Sequence, residues 1–215
     1  MFDARGGGGI RTLDAGLPHT RFRVERFRPL SHSSVVVVCV ASAILALLLY
    51  FFQLTMLEVG TTAPDFRLAD QDETTHTMQQ YRGKWVLIYF YPMDDTPGCT
   101  KEACTIAEVY EDFLQLGVTV LGVSKDTPES HRAFRAKYNL PFTLLSDETM
   151  EMMTEYGAVT DRTLVGIDLG KSIRRISYLV DPSGVISKVY PNVDPATHAT
   201  ELLQDLRQLT TPAQG

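Results

Sequence analysis

The sequence predicts an α/β fold: a mixed β-sheet with helices on both faces, preceded by an N-terminal segment of different character. Three observations carry that prediction. Strand-like and helix-like runs alternate from residue 60 onward. The run 84–91 (KWVLIYFY) is almost continuously apolar, as in a strand covered on both faces. The chain then closes with two more strand-like runs and an amphipathic helix, and this order suits layers packed around a central sheet.

Each element has its own signal. Residues 66–69 and 75–78 flank Asp70-Gln71-Asp72-Glu73 and read as a hairpin. Residues 100–116 place Ala103, Ile106, Ala107, Val109, Tyr110, Phe113 and Leu114 at helical spacing, and Gly117 ends the run. Residues 118–123 form a second core strand. Asp126-Thr127-Pro128-Glu129 opens a helix with proline in its first turn, running to about residue 138. A strand is expected at 142–145 and a helix at 147–156, closed by Gly157. Residues 176–180 and 185–190 flank Asp181-Pro182-Ser183-Gly184 as an antiparallel hairpin. The last helix spans 195–209, and 210–215 is a flexible tail. No internal repeat interrupts the 58–209 domain.

Residues 1–34 read as a disordered basic tail. Gly6 to Gly9 lack the Gly-Lys-Ser/Thr of a phosphate loop, and Arg21, Arg23, Arg26 and Arg28 give the segment its charge. Residues 35–57 have only Ser42, Gln53 and Thr55 as polar breaks and could span a bilayer as a helix. The basic lead-in would then keep the N-terminus cytoplasmic and anchor the domain to the membrane. The preferred reading is that Met56 is the true start and the domain is cytoplasmic. The segment GGIRTLDAGLPHTRFRVERFRPLSHSS resembles translation through a neighbouring RNA gene, and Met56 opens a good soluble-domain beginning.

Net charge is −6 and is unevenly divided. Residues 1–55 hold six Lys/Arg against three Asp/Glu, whereas 56–215 hold 14 against 23. An acidic main domain argues against nucleic acid as a partner, because phosphate binding needs clustered Lys/Arg. Three cysteines are too few for a disulfide-stapled scaffold, and no Cys-x2-Cys or His spacing suits zinc. Cys39 sits in the apolar run as a small hydrophobe and is given no chemical role.

Cys99 and Cys104 lie in YPMDDTPGCTKEAC, where an apolar strand crosses a Pro/Gly turn into a helical pattern. That places Cys99 at a helix N-terminus, where unpaired N–H groups favour a thiolate over a free thiol of pKa ~8.5. Thr96 is one turn earlier and can donate to sulfur or to a bound oxygen. Pro92 and Pro97 stiffen the loop, and Gly98 permits close approach. In an ideal helix, residues i and i+5 have Cα atoms about 8.6 Å apart, beyond the ~7 Å a disulfide allows. The pair can therefore bond only if the first turns unwind. A thiolate that attacks an O–O bond becomes a sulfenic acid, which a second thiol converts to a disulfide for an external dithiol to reduce.

Pro92-x3-Thr96-x2-Cys99 resembles the active-site signature of peroxiredoxins. The Cys99-x4-Cys104 spacing resembles the bacterioferritin comigratory protein, or Q, subfamily of AhpC/TSA-like thioredoxin-fold peroxidases. Ala63-Pro64-Asp65-Phe66, Leu145-Ser146-Asp147 and Arg175-Ile176-Ser177-Tyr178-Leu179-Val180-Asp181 support it. One departure is 157–162 (GAVTDR), where many members carry a Trp after the Val; it is expected to alter local packing only. The resemblance implies a thioredoxin-like fold and a peroxidase of hydrogen peroxide and organic hydroperoxides. Cys99 would be peroxidatic and Cys104 resolving, with Thr96 and Arg175 holding the peroxide oxygens and Pro92 shielding the pocket. It implies thioredoxin or a similar dithiol as reductant, a monomer, and no metal, haem or flavin. Two rivals are a membrane-tethered thiol-disulfide oxidoreductase, which the Cys-x4-Cys spacing disfavours, and a redox-gated chaperone or binding module.

The start-site reading has a direct check. Intact-mass measurement of the native protein is expected to give a mass well below the full 24.0 kDa; a mass near that value would overturn it.

Overall fold

A computed structural model describes residues 56–164 and 167–210. The basic tail, all of 35–57 but Met56 and Leu57, Cys39, and 211–215 lie outside the described residues. No helix among the described residues is long and apolar enough to cross a membrane.

Seven strands build the main sheet: β1 (Arg67–Asp70), β2 (Thr75–Thr77), β3 (Trp85–Phe90), β4 (Val118–Ser124), β5 (Thr143–Ser146), β8 (Ile176–Val180) and β9 (Ile186–Tyr190). Between β5 and β8 the chain forms a separate hairpin, β6 (Val159–Leu164) and β7 (Ile167–Ile173). The main sheet runs β2-β1-β5-β4-β3-β8-β9, with β3, β4 and β5 parallel and the flanking strands antiparallel. This is the mixed sheet that the sequence predicts. Among the described residues there are five α-helices, α1 (Pro97–Glu108), α2 (Tyr110–Gln115), α3 (Pro128–Tyr138), α4 (Glu151–Glu155) and α5 (His198–Thr210), and a 3-10 helix at Met78–Tyr81.

The apolar run of β3 is explained by its two covered faces. Leu87 and Tyr89, with Tyr91 beyond the strand end, join the core formed with α1, α2, α3 and α5. Val86, Ile88 and Phe90 join the opposite core with Met152, Met153, Tyr156 and the segment around Phe66. Strand side chains alternate faces, so a strand buried on both sides shows no polar alternation.

Two expectations need correction, and one element carried no expectation. The helix expected over 100–116 begins earlier, at Pro97, and breaks at Val109, whose backbone (φ −113, ψ 16) ends α1 and starts α2. The break lets Phe113 turn into the core. The helix expected over 147–156 is confined to Glu151–Glu155, because the Asp147 carboxylate instead accepts the backbone N–H groups of Glu151 and Met153. The β6–β7 hairpin is the element without an expectation, because short polar-mixed runs did not signal it. The base of that hairpin is closed by the Arg174 N–H on the Ala158 carbonyl.

Tyr89 sets a packing constraint on β4. It pairs in register with Gly122, and a Cβ at 122 would come 2.6 Å from the Tyr89 hydroxyl and 2.8 Å from Leu144 Cδ2. Gly122→Ala is therefore expected to destabilise the domain by about 1–3 kcal/mol through overpacking, read as a lower urea midpoint at unchanged slope.

Candidate active site

Thr96 is the N-cap of α1 and Pro97, Gly98 and Cys99 are its first three residues. Proline is tolerated there because the first N–H groups of a helix have no intrahelical partner. A threonine at this position ordinarily accepts a backbone N–H, but Thr96 makes no side-chain cap bond. Its hydroxyl lies 2.8 Å from Cys99 Sγ and 3.2 Å from the Met93 carbonyl. A hydroxyl has one proton to donate, so it serves one of these acceptors at a time.

The second donor comes from across the sheet. Arg175, the residue before β8, places Nη2 3.1 Å from Cys99 Sγ and Nη1 2.8 Å from Glu102 Oε2. β8 pairs with β3, the strand that leads into the Cys99 loop, with Phe90 opposite Ile176. That register brings Arg175 to the start of α1. Gly98 makes room for it: a Cβ there would stand 2.7 Å from Nη2. Cys99 is itself 1% exposed. Two donors thus converge on a buried sulfur, an arrangement suited to negative charge on sulfur or on an oxygen it attacks.

Glu102 was not singled out as a site residue in the sequence, although it lies one helical turn from Cys99 and so shares its face. It is fully buried, and its Oε1 has no hydrogen-bond partner among the described residues. Burial pushes the carboxyl up to about 7, against the opposing pull of Arg175. The ion pair favours the charged form and the surrounding core disfavours it.

Cys104 lies in the same helix and is partly buried; both thiols are free. Burial, and then Glu108, raise the Cys104 thiol above its ordinary range, with Lys101 opposing. The expectation that both cysteines are helical matches α1, and ideal helix geometry then puts their Cα atoms about 8.6 Å apart.

Pro92 is half-buried at the rim and, with Met93, Thr96, Lys125, Met150 and Ile173, borders a cavity of about 540 Å³. Lys171 and Ser172 of β7 complete that wall, so the unforeseen hairpin contributes to the site. On its other side, Arg175 borders a second cavity of about 550 Å³ with Pro191, Asn192, Val193 and Asp194. Sequence reasoning therefore placed Pro92, Thr96, Cys99, Cys104 and Arg175 around one helix, and the structure brings Thr96, Cys99 and Arg175 into direct contact.

A family model described as AhpC/TSA matches residues 59–189. A putative peroxiredoxin bcp from Coxiella burnetii is 44% identical over 147 residues, covering 68% of this chain and 97% of the relative. A chloroplastic peroxiredoxin Q from Populus jackii is 44% identical over 151 residues, 70% of this chain and 68% of its own length. Among solved structures, Xanthomonas campestris peroxiredoxin Q superposes with a TM-score of 0.67 at 31% identity, covering 72% of this chain and 98% of that one. A second structure of the Xanthomonas protein, named bacterioferritin comigratory protein, is described in terms of alkyl peroxide reduction and matches with a TM-score of 0.67 at 30% identity, covering 72% and 98%.

The titration of Glu102 gives a signed expectation. Its carboxyl moves from an ordinary 4.5 to about 7 on folding. The stability this confers is full below about 4.5 and is lost as pH rises through about 7. Glu102→Gln removes the titration. The variant is expected to gain thermal stability relative to the native protein as pH rises from 5 to 8, and parallel melting curves for the two proteins would refute the assignment.

Proposed function

The chain belongs to the AhpC/TSA family and is a peroxiredoxin, and from that premise we propose that it reduces hydrogen peroxide and organic hydroperoxides through Cys99 and Cys104. The observation that carries this reading is the pair of donors, Thr96 and Arg175, on the sulfur of Cys99 at the first turn of α1.

The Cys99 thiolate attacks the terminal oxygen of ROOH. An S–O bond forms and the O–O bond breaks. Sulfur loses two electrons to give a sulfenic acid, and the leaving alkoxide takes a proton to become ROH. Arg175 and Thr96 donate to the oxygens as charge moves across the O–O bond, and Pro92 limits water access. These donors are already in place, so little reorganisation accompanies the step. The wall of Met93, Met150 and Ile173 beside Thr96 supports acceptance of organic as well as inorganic peroxides.

Resolution requires movement. Cys104 attacks the sulfenic sulfur, the S–S bond forms, and the oxygen leaves as water. Two cysteines five apart cannot do this within a helix, so the first turns of α1 unwind before the bond closes. The disulfide is then reduced by thiol–disulfide exchange with thioredoxin or a similar dithiol. The protein acts as a monomer in this reading and needs no bound cofactor.

Cys99→Ser is expected to abolish thioredoxin-linked peroxide consumption, and retention of activity would overturn the assignment. Cys104→Ser is expected to consume about one equivalent of peroxide per chain and then stall when thioredoxin is the only reductant. Sustained turnover by that variant would remove Cys104 from the cycle.

A further inference from the structure

The loop between β3 and α1 carries Pro92 and Thr96, and Asp94 stands midway between them. Asp94 is 8% exposed, and its carboxylate receives three hydrogen bonds. Tyr91 Oη donates to Oδ1 at 2.8 Å, Ser130 Oγ to Oδ2 at 2.7 Å, and His131 Nδ1 lies 2.9 Å from Oδ2. The Asp94 N–H donates to Asp126 Oδ2 at 2.8 Å, an oxygen that Ser124 Oγ also reaches at 2.7 Å. One residue of the peroxide loop is thereby tied to the end of β4 and the start of α3.

His131 is fully buried, as are Tyr91 and Ser124 in this group. Its Nε2 is 3.2 Å from the Leu145 carbonyl, so both ring nitrogens face acceptors. A ring held at both nitrogens has a fixed orientation. It spans the gap between Asp94 and β5 without touching Cys99.

The neighbouring residue shows why the loop needs such a hold. Asp95 has φ +55, a left-handed conformation that is uncommon outside glycine. Such conformations persist only where their surroundings over-determine them. Here α3 supplies the surroundings: Lys137 and Tyr138 hold the Asp95 carboxylate, and Ser130 and His131 hold Asp94. The Lys137 and Tyr138 contacts are exposed. The buried grips are those of Tyr91 and His131 on Asp94, and of the two only His131 belongs to α3.

We propose that His131 is a positioning residue for the peroxidase reaction, fixing through Asp94 the 92–96 segment as the stationary end against which the first turn of α1 unwinds. The proposal rests on the roles given to Cys99 and Cys104 above. Peroxide reduction needs Thr96 held against Cys99 Sγ, and resolution needs Cys99 to leave while Thr96 and Pro92 keep their place for the next cycle. A hold anchored in α3 and β5, outside the unwinding helix, meets both demands.

The test compares two substitutions in the full chain. His131→Leu removes both ring contacts; His131→Asn retains a donor that can reach Asp94 but loses the Leu145 carbonyl. Val86→Ala, in the core on the opposite face of the sheet, serves as a stability control. The readouts are the single-turnover rate of Cys99 oxidation by hydrogen peroxide and the melting temperature. His131→Leu is expected to slow oxidation about tenfold or more, while His131→Asn recovers most of the rate at a similar loss of stability. If His131→Leu oxidises at the native rate, or if both His131 variants and Val86→Ala lose rate only in step with melting temperature, the proposal fails. Should His131→Leu not fold, Ser130→Ala removes one donor from Asp94 and is expected to slow oxidation about threefold; an unchanged rate there would overturn the idea equally. Failure of the underlying reading is distinct, because the native protein would then show no Cys99-dependent oxidation.

Discussion

The guanidinium of Arg175 ties the site together. One nitrogen meets Cys99 Sγ at 3.1 Å and another meets Glu102 at 2.8 Å, so a single side chain spans the first turn of α1 on the face that packs into the core. Its position follows from the antiparallel pairing of β3 with β8, and its access follows from the missing side chain at Gly98. In the proposed cycle, unwinding of the first turn would break both contacts together. The Glu102 carboxylate would then leave a buried position that is costly for a charge. The ion pair favours a charged Glu102, and its burial opposes that charge.

That balance matters to the proposed cycle, in which the helix would serve two incompatible geometries. Folded, α1 places Cys99 between its donors and Cys104 on another face of the helix. Unwound, it must bring the two sulfurs to bonding distance. The separation is a property of helical pitch and not of side-chain choice, so no local rotamer change can bridge it. A Cys-x2-Cys pair could close in place and would need no unwinding. The longer spacing converts a covalent step into a conformational one.

Much of this was readable in the chain. β3, α3 and the terminal hairpin were visible because apolar runs, a Thr-Pro helix start and an Asp-Pro-Ser-Gly turn act locally. Cys99, Thr96 and Pro92 were visible because they share one short segment. Arg175 is 76 residues from Cys99 and was located through the resemblance alone, since spacing does not reveal a strand pairing. Glu102 had no reading of its own in the sequence, because nothing local announces that Arg175 covers it. The Asp94–His131 contact joins residues 37 apart, and no local pattern announces it. The β6–β7 hairpin was missed because Asp161 and Arg162 interrupt its apolar alternation, and its contribution to the cavity wall depends on where the chain turns before Arg175.

In the proposed cycle, the environment of Cys104 would order the two sulfur reactions in time. Its thiol is raised chiefly by burial in α1. The thiolate is the reactive form, so a raised thiol competes poorly with Cys99 for peroxide while the helix is folded. Unwinding exposes Cys104 to water and removes the burial that holds its proton. The resolving thiol therefore gains reactivity in the same movement that brings it within reach of the sulfenic acid. In the proposed cycle, the helix itself would delay Cys104 until Cys99 has been oxidised and has left Arg175.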